Sequence, residues 1–178
     1  MVITPFHYAL GLLIFKVSRK KLRIDGITLG CFLPDIEVPI LFTLGIYPAR
    51  RILHSLIGGL LLGPLITIIM FPVYIFILKL LGYRERIKLN TNFLISVELG
   101  ILSHIILDAL HHPYNPLFWP LTSNSVNIFI LFGNWLLASY LLHLIFVPIS
   151  LIIFLVQFRR DNWDLSATLL HLIIDPKI

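Results

Sequence analysis

The sequence predicts an all-α fold, a polytopic bundle of transmembrane helices, some short or broken, around a polar metal site. Three observations predict it. The 178 residues are 58% hydrophobic and only 13% charged, with a mean hydropathy of +0.93; a soluble domain usually carries about a quarter charged residues. Two runs, Leu53 to Leu78 and Ser123 to Phe158, contain no Asp, Glu, Lys or Arg, and each exceeds the roughly 20 residues needed to cross a hydrocarbon core. Ionisable residues nevertheless recur inside apolar segments, where they are costly and usually face an interior site.

Pro5 to Val17 reads as a short helix closed by Lys16, Arg19, Lys20, Lys21 and Arg23. Its apolar stretch precedes that basic cluster, the reverse of a removable signal peptide. Ile24 to Tyr47 is apolar but interrupted by Pro34, Asp35, Glu37 and Pro39, a pattern for a helix that stops and restarts. Leu53 to Leu78 is a long span with Pro64 and Pro72 as kink points. A basic loop, Lys79 to Asn92, leads to a helix over Asn92 to Leu110, ended by His111, His112 and Pro113. Tyr114 to Asn127 is an irregular loop, and Val126 to Phe158 the second long span, closed by Arg159 and Arg160. Asp164 to Ile174 is too short to span and reads as an interfacial amphipathic helix. No repeat or linker divides the chain. Residues 1–178 form one integral membrane domain, with the motifs in 1–125 and the last span and amphipathic helix in 126–178.

The single cysteine, Cys31, excludes an internal disulfide and a thiolate metal cluster. The formal charge of +5 needs no nucleic-acid partner, because basic loops on the cytoplasmic side of a membrane account for it. Eleven of the fourteen basic residues fall into three groups: Lys16 to Arg23, Lys79 to Lys88, and Arg159 with Arg160. All three can occupy one face if the chain runs out and back between them. The expected location is therefore the cell (inner or plasma) membrane, multi-pass, with the lipid bilayer as the first partner and that face cytoplasmic. Arg50, Arg51 and Lys177 are the exceptions.

The polar residues within the apolar segments form a pattern. His104, Asp108, His111 and His112 are spaced i, i+4, i+7 and i+8 and share one helix face. An imidazole and a carboxylate one turn apart can hold a metal ion, and His7, Asp35 and His54 can complete its shell. Counting at the helical rise places His104 about 24 Å from Lys88, His7 about 14 Å from Lys16 and Asp35 about 18 Å from Arg23. Four segments thus bring these groups to the outer part of the membrane, away from the basic face. A ligand set of imidazole and carboxylate without thiolate suits zinc, and also manganese or iron. Other readings exist for each residue. His104 and Asp108 can be a structural pair, His111 and His112 can serve as a cationic helix end, and Glu37 is either a ligand or a solvated loop acid. His143 and His171 read as helix-to-helix hydrogen bonders, and Glu98 as a structural partner. Arg50 and Arg51 are either headgroup anchors or binders of an anionic substrate.

The motifs Thr4-Pro5-Phe6-His7, Leu33-Pro34-Asp35-Ile36-Glu37, Arg51-Ile52-Leu53-His54-Ser55 and Ser103-His104-Ile105-Ile106-Leu107-Asp108 occur in this order over roughly residues 1 to 125. As a set they resemble the predicted membrane-bound metal-dependent hydrolases, a domain of unknown function in many bacteria and archaea. That family is in turn similar to the zinc phospholipase C and nuclease fold. The resemblance implies His7, Asp35, His54, His104 and Asp108 as metal ligands, with His111 or His112 in place of a further histidine. The later His and Glu of the trinuclear soluble enzymes have no counterpart here, so one or two ions, most simply zinc, are expected.

The leading expectation is a metal-dependent hydrolase acting on a phosphoester or other anionic lipid-like substrate at the outer membrane surface. Asp35 or Glu37 would serve as ligand or general base, and Arg50 and Arg51 would bind the substrate. The alternative is a transport or metal-handling protein using the same His/Asp cluster. A transporter needs a polar route to both faces, and Ile66 to Leu78 and Ile145 to Phe158 carry almost none.

Overall fold

The computed structural model describes residues 5–19, 21–85 and 87–176. Thr4, Lys20, Arg86 and Lys177, which belong to motifs or charge groups above, lie outside the described residues. The chain is helical, and no strand occurs among the described residues. Among the described residues, four helical segments, Ile24–Thr43, Leu56–Leu80, Thr91–His111 and Trp135–Arg160, are long and apolar enough to cross a membrane.

Helix α1 covers Pro5–Val17 with Lys16 in its last turn. Helix α2, Ile24–Phe32, passes through a 3-10 turn, Pro34–Ile36, into α3, Glu37–Thr43. Pro34 has no N–H to donate, and its ring would collide with the carbonyl four residues earlier. The helix therefore changes character there, and Asp35 and Glu37 sit at the break. Helix α4, Leu56–Leu80, starts where the Ser55 hydroxyl accepts from the Gly58 N–H, and runs through Pro64 and Pro72. Helix α5, Thr91–His111, is capped by the Asn90 side chain, which accepts from the Phe93 N–H. Helix α7, Leu165–Ile174, is capped by Asp164 and packs back onto α2 and onto helix α6, Trp135–Arg160.

Helix α6 departs from the sequence expectation. It covers Trp135–Arg160, nine residues later than the apolar run begins. Phe132 (φ 59) and Gly133 (φ 63) adopt left-handed backbone, which ends any helix through them. The Asn134 side chain then accepts from the N–H groups of Leu136 and Leu137 and opens the new helix.

Helices α2 and α5 form the scaffold. A Cβ on Gly30 would lie 2.1 Å from the Val97 carbonyl oxygen, and one on Gly100 2.3 Å from that of Ile27. The two backbones touch, the close approach that small residues permit between membrane helices. Helix α4 packs on α5 through Gly59 and Gly63 against Ile101 and Ile105. Around this seam lie Leu33, Leu78, Phe93 and Val97. At the basic end, the Arg23 guanidinium lies 2.5 Å from Asp25 Oδ2, donates to the Lys88 carbonyl at 2.7 Å and covers the Phe93 ring at 4.8 Å. This ties the start of α2 to the start of α5. The outward surfaces of α4 and α6 are apolar, with Leu61, Ile69, Leu136 and Leu144 all at least 60% exposed, as suits side chains that meet lipid rather than water.

Candidate metal centre

Four parts of the chain meet at the end of the bundle opposite Arg23 and Lys88. The first turn of α1 brings His7, the 3-10 break brings Asp35, and the turn before α4 brings His54. The last two turns of α5 bring His104, Asp108 and His111, and its C-cap residue is His112. His7, His54, His104, Asp108 and His111 are all buried, at 0% to 4% exposure.

The distances describe a compact set of donors. His104 Nε2 lies 3.3 Å from Asp108 Oδ2 and 3.7 Å from Asp35 Oδ1. His54 Nε2 lies 3.6 Å from Asp35 Oδ1 and 3.7 Å from Asp108 Oδ2. Two ligands on a tetrahedral zinc, at about 2.0–2.1 Å each, stand about 3.3 Å apart. These four imidazole-to-carboxylate distances are therefore within a few tenths of an ångström of the spacing that two ligands of one ion require. His7 stacks on His104 with ring centroids 3.7 Å apart, and its Nε2 lies 3.3 Å from Asp108 Oδ1.

The buried nitrogens supply the test of fit. His7 Nδ1 and Nε2, His54 Nε2, His104 Nε2 and His111 Nε2 have no hydrogen-bond partner among the described residues, and neither has Asp108 Oδ1. Unpaired buried polar atoms are costly. Here several of them converge on shared carboxylates, which is the arrangement a divalent cation satisfies. The N/O donor set fits zinc, and also manganese or iron.

The far side of each ring is held separately. His54 Nδ1 is 2.7 Å from Glu37 Oε1, His104 Nδ1 is 2.8 Å from the Cys31 carbonyl, and His111 Nδ1 is 2.7 Å from the Leu107 carbonyl. Such partners fix ring orientation and leave the other nitrogen directed inward. Glu37 is filled by this role. Its Oε1 also accepts from the Arg51 N–H and its Oε2 from the Leu53 N–H.

The other residues singled out in the sequence take varied places. Arg50 is buried and its guanidinium pairs with Asp108 Oδ2. The Arg51 guanidinium reaches the Tyr47 carbonyl at 3.5 Å. His112 is half-buried; desolvation and then the nearby Arg50 charge push its pKa down to about 3, so it stays a neutral imidazole at ordinary pH. His143 bonds within its own helix to the Ser139 carbonyl, and its ring meets Phe6 edge-on. His171 lies 2.7 Å from Asp161 across the α6–α7 turn. The carbonyls of Cys31 and Leu107 could not be found from the sequence, because every residue has one.

The sequence profile of the YdjM inner membrane proteins matches residues 2–175. The chain belongs to the YdjM inner membrane protein family. No curated protein and no solved structure matches it. As a YdjM family member it is an integral membrane chain, in agreement with its four long apolar helices, and the match takes in the whole His/Asp cluster and the final two helices.

Proposed function

We propose that this YdjM family chain is a membrane-embedded metal-dependent hydrolase whose substrate is a phosphoester or other anionic, lipid-like molecule. The observation that carries the reading is the convergence of His7, Asp35, His54, His104 and Asp108 with their inward nitrogens unpartnered. Asp35, His54, His104 and Asp108 would hold a divalent ion, with His7 beside it. Such an ion lowers the pKa of a water and polarises a phosphoryl or carbonyl oxygen. Glu37 would orient His54 and anchor the turn that carries Arg51. Arg51, whose guanidinium has one long contact to a carbonyl, is placed to meet an anion three residues before His54. Asp35 is the most exposed carboxylate of the cluster, its side chain at 20%, and suits proton transfer as well as ligation. The basic end would face the cytoplasm and the cluster the opposite side.

The buried residues of α2 and α5 between the cluster and the basic end are mainly apolar, among them Ile27, Phe93, Val97 and Ile101, with the hydroxyls of Thr28, Ser96 and Ser103 as exceptions. That apolar filling favours chemistry at one surface over transport through the bundle. The test is a screen of purified, zinc-loaded protein against phospholipids and soluble phosphoesters, with His104→Ala as the control. Hydrolysis that disappears in His104→Ala supports the reading. Wild-type protein that binds no metal and turns over nothing in the screen would sink it.

A further inference from the structure

We propose that the cluster binds a second divalent cation, held by Asp108, His111 and His112 and bridged to the first through the Asp108 carboxylate. This rests on the metal reading above and extends it from a single ion to a pair.

Asp108 presents its two oxygens to different neighbours. Oδ2 faces the Nε2 atoms of His54 and His104 and takes the Arg50 guanidinium. Oδ1 is turned toward His7 and accepts no hydrogen bond among the described residues. A carboxylate divided in this way can join two ions about 3.5–4 Å apart, the spacing of two-metal hydrolytic sites. Arg50 bonds to Oδ2 and leaves Oδ1 open, although its charge is also felt at His112.

The end of α5 supplies the second side. Residues 108, 111 and 112 are spaced i, i+3 and i+4, one turn of helix. One ligand atom from each lies within 4.8 Å of the other two. His111 is the strongest indication. It is 1% exposed, its Nδ1 is taken by the Leu107 carbonyl, and its buried Nε2 has no partner among the described residues. An imidazole buried at the end of a membrane helix, oriented by its own backbone and left with one open nitrogen, is built to bind something. His112 follows at the C-cap in extended backbone (φ −90, ψ 140), so its ring is not bound to the helical spacing. The negative end of the α5 dipole adds a cation preference.

The experiment counts ions. Protein purified in detergent, with any polyhistidine tag removed, is stripped by a chelator, dialysed against zinc and analysed for zinc per chain. Wild type should hold two. His112→Ala, which removes a half-buried ring at the rim, should hold one, and His54→Ala should lose the other position while retaining zinc that His112→Ala lacks. A double variant should hold none. A wild-type count of one, unchanged in His112→Ala, would overturn the second position and leave the hydrolase reading standing. A wild-type count of zero would remove both. The wild-type count decides the matter even if a variant misfolds.

Discussion

Glu37 Oε1 lies 2.7 Å from His54 Nδ1, and the same carboxylate receives the backbone N–H groups of Arg51 and Leu53. One side chain thus orients a proposed ligand and shapes the turn that carries it. Outer-shell carboxylates of this kind typically contribute about 10–100-fold to metal affinity. Glu37→Gln should weaken zinc binding by roughly that factor with helix content unchanged, as read by chelator competition and circular dichroism. Wild-type affinity in Glu37→Gln would mean that His54 is not a ligand.

Arg51 and Arg50 should separate. Arg50 is committed to Asp108, whereas Arg51 has only a 3.5 Å contact to the Tyr47 carbonyl. Guanidinium binds phosphate through paired hydrogen bonds that lysine cannot reproduce. Arg51→Lys should therefore keep its zinc and raise KM for an anionic substrate on the order of tenfold, about 1.4 kcal/mol. An unchanged KM would make Arg51 a headgroup anchor.

Sidedness can be read by thiol labelling. Lys21→Cys, Arg84→Cys and Asn124→Cys are placed singly in a Cys31→Ala background and treated in intact cells with an impermeant reagent. Basic loops favour the cytoplasm, so only position 124 should react. Labelling at 21 or 84 with 124 protected would invert the protein and move the cluster to the cytoplasmic side.

Gly100→Ala tests the scaffold. The added methyl would meet the Ile27 carbonyl oxygen at 2.3 Å, so α2 and α5 must part, and overpacking of this sort costs about 1–3 kcal/mol. Asp35 and the Cys31 carbonyl ride on the α2 side of that seam, and His104 on the other. The variant should lose both thermal stability and zinc affinity, while Leu61→Ala, on the 70% exposed lipid face, should change neither appreciably. Equal melting temperatures for wild type and Gly100→Ala would show that the helices do not pack this closely.

Asp161 gives a pH dependence away from the cluster. Burial raises its pKa, but hydrogen bonds from Gln157 and His171 outweigh this and hold it below the ordinary 3.8. With the folded value depressed, its contribution is complete above about 3.8 and is lost as pH falls through the lower folded value. Amide exchange in α7 should therefore accelerate in that acid window. In Asp161→Asn, α7 should exchange faster at neutral pH and lack the acid step. An acid step that survives in Asp161→Asn would assign it to another group.

The cluster was legible in the sequence because ionisable residues are conspicuous against leucine and isoleucine, and because helix length converts sequence position to depth. Hence His7, Asp35, His54, His104 and Asp108 could be set together by counting. The roles within the set were less legible. Glu37 differs from Asp35 only in where its oxygens point, which depends on the turn at 51–53. The start of α6 was misplaced because Ile128 to Phe132 is as apolar as a helix. Hydropathy carries no record of the left-handed backbone at Phe132 and Gly133.

The attachment of α1 has a consequence for biosynthesis. Phe6 meets the His143 ring of α6 in a cluster with Leu107 against which Leu142 and Phe146 of α6 pack, and the Tyr8 hydroxyl donates to the Leu172 carbonyl of α7. The segment bearing His7 thus precedes α6 and α7 in the chain, packs on α2 and α5, and gains its remaining contacts only when those later helices arrive. At a ribosomal pace of about 5–20 residues per second, it waits on the order of ten seconds or more for its final partners. Through that interval His54, His104 and Asp108 can already have met, so truncation before α6 should yield a nascent chain that carries the whole ligand set but whose α1 rests on α2 and α5 alone.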